Sequence, residues 1–154
     1  MKTLFVFVFL SLTSCTTIKV GYKIEDVRKE NFVINKTTRD EVKQKMNTIK
    51  IYNEKAITFN EEDAKKKLAT NSYFPKDCIS VIPKFDCYME IKSTKTFYNS
   101  VSSKMLNICF MYDDQEILKD IKENNIQKSS NSGKIDLNFS IFKCPKKENK
   151  TLPK

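Results

Sequence analysis

The residues with the most chemistry open to them are the cysteines. Four of the five, Cys78, Cys87, Cys109 and Cys144, stand in the body of the chain, and the sequence has no histidine. Thiolates ligate zinc, but with no His and no C-x₂-C pair the spacing of a zinc knuckle is missing. Four thiols in an exported chain instead make two disulfides, in any of three connectivities. Cys78 and Cys87, with Pro83 between them, close a small loop, which leaves Cys109 and Cys144 to pin the chain's end to a strand. A Cys87–Cys109 bridge stays open, as do four free thiols in a reducing compartment. No catalytic set accompanies these residues. The commonest general base is absent, and no Asp/Glu pair sits in a glycosidase or phosphatase context. Asp113 and Asp114 fit a turn. No phosphate-binding loop, dinucleotide fingerprint or metal motif occurs. The expectation is a protein that is not an enzyme and takes no cofactor and no metal.

The fifth cysteine has a different setting. Lys2 is followed by Leu4–Leu12, nine nearly all-apolar residues, and then by Thr13, Ser14 and Cys15. A membrane-spanning helix needs roughly 20 apolar residues, so this run has the length of a signal-peptide core. The stretch Leu12-Thr13-Ser14-Cys15 resembles the cleavage box of bacterial lipoproteins. That resemblance implies a diacylglycerol thioether on Cys15, cleavage after Ser14, and acylation of the new amino terminus. Thr16 stands where Asp marks inner-membrane retention in many Gram-negative bacteria, so the implied destination is the outer membrane, with the domain facing the periplasm.

Composition limits the rest. The formal net charge is +9 with 31% charged residues, and glycine occurs only twice. Apolar and aromatic content suits one folded domain rather than a disordered chain. An excess of lysine on a lipid-anchored protein points to anionic lipid or another polyanion as a contact. Nucleic acid is not an expected partner, because an exported lipoprotein rarely meets it.

The elements that position these residues read as follows. Residues 15–23 form a lipidated tether, and 24–142 a single domain. Ile24–Phe32 is expected as a short helix, with Ile24 and Val27 on one face. Thr38 and Glu41 form a capping box for a second helix, on which Val42, Met46 and Ile49 make one stripe. Asn60 caps a further helix to about Asn71. Cys87–Ser93 and Lys104–Tyr112 alternate as strands, with a turn at Asp113-Asp114-Gln115 and a strand over Glu116–Ile121. Residues 123–134 read as a polar loop, Ile135–Phe142 as an added strand, and 143–154 as a basic tail.

The stretch Asn35-Lys36-Thr37-Thr38-Arg39-Asp40-Glu41-Val42 resembles the start motif of small outer-membrane lipoproteins of the SmpA/OmlA (BamE-like) group. Lys36, Thr37, Thr38, Glu41 and Val42 match that motif, with Met46 in a Leu position and Asn35 and Asn47 in two Gly positions. Asn tolerates the left-handed backbone those positions require. Ile49 departs from the family's Pro. Leu106–Phe110, the following turn with Asp113 and Asp114, and Ile117-Leu118 resemble the same group's closing hairpin, without its Gly. The resemblance implies an α+β fold, two N-terminal helices packed on a 3–5-stranded antiparallel sheet, an architecture shared with β-lactamase-inhibitor proteins. Residues 53–86 would be an insertion. The implied role is non-enzymatic binding of envelope proteins, the outer-membrane assembly machinery among them. An inhibitor or immunity-type lipoprotein and a secretion- or conjugation-apparatus lipoprotein are the alternatives.

Overall fold

The computed structural model describes residues 16–70, 82–95 and 101–130. The expected signal peptide, Cys15, Cys78, Cys144, the added strand at 135–142 and the basic tail lie outside the described residues. Within them, the chain begins with β1 (Thr16–Tyr22) and two 3₁₀ turns (Ile24–Asp26 and Lys29–Asn31). It continues through α1 (Arg39–Asn47), β2 (Ile51–Tyr52), β3 (Thr58–Asn60) and α2 (Glu61–Ala69). Three long strands follow, β4 (Lys84–Lys95), β5 (Val101–Tyr112) and β6 (Leu118–Ser130). The described strands form one six-stranded antiparallel sheet in the order β2-β1-β4-β5-β6, with β3 also paired to β4.

This corrects the expected architecture. The fold is dominated by its sheet, and both described helices come after the first strand rather than leading the chain. The expected tether is β1, whose β-branched Thr16, Thr17, Ile18 and Val20 favour extended backbone and pair with β4 from Lys95 to Glu90. The expected first helix is only the two 3₁₀ turns. Neither has a side-chain cap, and a segment this short does not recover the cost of helix nucleation. Tertiary packing fixes the segment instead, through buried Ile24 and Phe32. The expected polar loop after Ile121 continues as β6 as far as Ser130, because β5 supplies a ladder for it.

Two strands share one edge of β4. β1 pairs with Glu90–Lys95, and β3 pairs with Asp86–Tyr88, so the two lie end to end with the chain's excursion through α1 between them. Gly21 sits at the exit. Its φ is +92°, and a Cβ there would lie 2.0 Å from the Met89 carbonyl oxygen, so only glycine fits. Asn35 adopts φ 62°, the left-handed backbone expected of it, whereas Asn47 simply ends α1.

Alternation along β4 and β5 sends side chains to both faces, and each face has its own apolar cluster. Tyr88, Ile108, Phe110 and Tyr112 face Val42 and Met46 of α1, together with Tyr22, Ile24, Phe32 and Leu118. Phe85, Cys87 and Cys109 face Ala64 of α2 on the other side. β4 is therefore buried on both faces from Phe85 to Glu90, more deeply than the half-buried strand its alternation predicts. Both helices start where expected. Thr38 and Glu41 exchange the reciprocal bonds of a capping box, and Asn60 and Asp63 do the same for α2.

Candidate functional site

The most built polar arrangement centres on Arg39, the first residue of α1 and only 8% exposed. Thr38 caps the helix, and its neighbours tie this turn to the start of β6. The Arg39 amide donates to the Glu116 carbonyl at 2.9 Å, and the Leu118 amide to the Thr37 carbonyl at 2.9 Å. The guanidinium is thereby held at the edge of β4. Its Nε and Nη2 donate to the two Asp86 carboxylate oxygens at 2.8 and 2.7 Å. Its Nη1 and Nη2 donate to the two Glu61 oxygens, both at 2.8 Å. Glu116 accepts a longer bond of 3.4 Å, and the ring of Tyr112 lies 5.4 Å from the guanidinium carbon.

Each carboxylate arrives by a different route. Asp86 lies on the α1 face of β4, between Phe85 and Cys87, which face α2. Glu61 is the first residue of α2, where its charge suits the helix dipole. It also accepts from the Phe85 amide at 3.3 Å. The bonds it donates to Asp86 hold the Arg39 guanidinium well above its ordinary range, against the opposing effect of burial. For Glu61, burial pushes the carboxyl up, but the hydrogen bonds from Arg39 and the backbone outweigh it and hold the group below its ordinary value. Burial also raises the Tyr88 and Tyr112 hydroxyls, with the Asp86 charge adding to both. The guanidinium engages both oxygens of each carboxylate at once. Its chemistry is that of a tie between two helices and a strand.

A second buried carboxylate stands further along β4. Glu90 is fully buried, and its Oε2 accepts from the Ile24 amide at 3.1 Å. Its Oε1 lies 3.1 Å from Lys92 Nζ in an ion pair whose geometry falls short of a hydrogen bond. That carboxylate raises the Lys92 ammonium, with Glu25 adding a weaker pull in the same direction.

The remaining positions singled out in the sequence fall elsewhere. Cys87 and Cys109 are direct cross-strand partners on β4 and β5, with Cα atoms 4.0 Å apart and sulfurs 2.04 Å apart. This pairing replaces the Cys78–Cys87 and Cys109–Cys144 bridges expected from spacing, because strand register places the two residues face to face while proximity along the chain does not. Thr37 is buried and its hydroxyl accepts from the Val33 amide at 2.8 Å, so it braces the turn before α1. Val42 is core. Asp113 is a turn residue whose Oδ1 accepts from the Gln115 and Ile117 amides at 3.0 and 2.8 Å. The sequence reading assigns no site role to Arg39, Glu61, Asp86 or Glu90. The one local signal is the charge at Asp86 and Glu90 inside the otherwise apolar Phe85–Ile91 part of β4.

Among the described residues, no cluster of His, Cys, Asp or Glu is arranged to hold a metal ion, and no helix is long and apolar enough to cross a membrane. No family model, no curated protein and no solved structure matches the chain.

Proposed function

We propose that this chain is a lipid-anchored protein of the cell envelope, held at the outer membrane and facing the periplasm, that acts by binding another envelope protein rather than by catalysis. The observation that carries the reading is the run from Lys2 to Cys15: a positive start, an apolar core of signal-peptide length, and a four-residue box ending in cysteine. The two stretches that resemble the SmpA/OmlA group also lie against each other. The Asn35 amide donates to the Leu118 carbonyl at 2.8 Å, and Thr38 bridges Ile117. That contact supports reading them as one unit.

Metabolic labelling with a fatty acid tests the anchor. Wild-type chain is expected to incorporate label, and Cys15→Ser to lose it and accumulate unprocessed, since serine has no thiol to form the diacylglycerol thioether. Label unchanged in Cys15→Ser removes the reading. Crosslinked envelopes test the partner. Recovery of the β-barrel assembly machinery supports the proposed role, whereas a hydrolase, a toxin or secretion components would replace it.

A further inference from the structure

Strand register brings three lysines into one row. Lys19 of β1 lies directly opposite Lys92 of β4, and Lys92 directly opposite Lys104 of β5, so all three project from the same face of the sheet. The next row outward on that face is Thr17, Thr94 and Ser102, with the Thr17 and Thr94 hydroxyls 3.3 Å apart. Like charges placed directly opposite one another destabilise a sheet, so such a row needs compensation. Lys92 has it in buried Glu90, 3.1 Å away. Lys19 lies over the Tyr52 ring at 5.1 Å, a contact that orients a cation without neutralising it. Among the described residues, neither Lys19 nor Lys104 has an acidic partner.

The position of the row gives it an occupant. β1 begins at Thr16, paired with Lys95, and Thr16 directly follows Cys15. At about 3.3 Å per residue, Lys19 stands on the order of 13 Å along the strand from Cys15. That is roughly between one and two Debye lengths at physiological ionic strength, so a domain that leans its row toward the bilayer brings the lysines into the field of a charged surface. Because Thr16 is already strand, no long flexible leash intervenes.

We infer that the Lys19–Lys92–Lys104 row, with the hydroxyl row beside it, rests on the anionic phospholipid head groups of the membrane that holds the anchor and thereby fixes which way the domain leans. The inference rests on the lipid-anchor reading for its setting. Its test does not, because it uses residues 15–154 produced without the preceding apolar run and carrying Cys15→Ser, free of lipid. That chain is titrated with vesicles of phosphatidylglycerol and phosphatidylethanolamine, and with vesicles of phosphatidylcholine alone. Binding to the anionic vesicles only is expected. Lys19→Gln with Lys104→Gln, which leaves the Lys92–Glu90 pair in place, should weaken it about 25-fold, near fivefold per lysine. Lys19→Arg with Lys104→Arg should restore it. Lys43→Gln with Lys65→Gln removes the same charge from exposed positions on the two helices and should weaken binding less than threefold. Equal losses in the two glutamine pairs, binding to neutral vesicles as tight as to anionic ones, or no binding to either overturns the inference. Fatty-acid labelling reports on the anchor separately, so the two failures are distinguishable.

Discussion

Arg39 and Glu61 meet through two parallel hydrogen bonds of 2.8 Å that join the first turns of the two helices. The helices lie on opposite faces of the sheet, so the pair clasps the edge of β4 where Asp86 and the Phe85 amide complete the polar contacts. Replacing a whole buried ion cluster by apolar groups can be neutral, whereas removing one member leaves uncompensated charge. Arg39→Met strands two carboxylates and is expected to cost about 3–5 kcal/mol. Urea denaturation checks it; a loss under about 1 kcal/mol, the range of an exposed pair, would mean the node is wet and loose.

The same node sets an acid limit. Glu61 titrates below its ordinary value in the folded protein, so the unfolded chain binds its proton first as pH falls. The stability it contributes is complete above the ordinary carboxylate range, about pH 4.3, and is lost as pH drops through the folded value. Glu61→Gln should therefore melt well below wild type at neutral pH, and the gap should close under about pH 4. A gap of constant size from neutral to strongly acid conditions would show that the ion pair contributes nothing through its charge.

Gly21 gives a sharper test of topology. Its positive φ, and the mere 2.0 Å that would separate an added Cβ from the Met89 carbonyl oxygen, both arise where β1 leaves β4. Gly21→Ala combines left-handed strain with a backbone clash, and about 3 kcal/mol or more of destabilisation is expected from the two together. A thermal melt indistinguishable from wild type would remove the close crossing of the strands.

Much of this fold was legible where the cue was local. Thr38 with Glu41, and Asn60 with Asp63, mark helix starts by side-chain reach alone, and the alternation around Cys87 and Leu106 marks strands. Other elements depend on partners distant in sequence. Thr16–Tyr22 is strand because Glu90–Lys95 is there to pair with it, and Lys122–Ser130 because β5 continues past its apolar stretch. Lys122, Glu123, Asn124 and Asn125 are a loop's composition borne by a strand. The Arg39 node was least legible of all. Arg39 sits between two capping residues, Glu61 suits a helix start, and each has a sufficient local explanation that hides the contact between them.

Strand register decides the connectivity of the described cysteines. Cys87 and Cys109 stand opposite each other within the longest strand pairing that β4 makes, buried beneath α2. The bridge spans a sequence separation of 22 and closes the β4–β5 hairpin into a loop. On the chain-entropy model a loop of that size is worth about 3 kcal/mol, since 15 residues give about 3 and the dependence on length is logarithmic. Cys87→Ala with Cys109→Ala should lower stability by roughly that amount, reduced further by two lost core side chains, while Cys78→Ala should leave the β4–β5 bridge intact. Non-reducing peptide mapping of protein purified without reductant reads the pairing directly. A peptide joining residues 87 and 109 is the expected species; one joining 78 to 87 would leave Cys109 without its cross-strand partner and remove the covalent tie between β4 and β5.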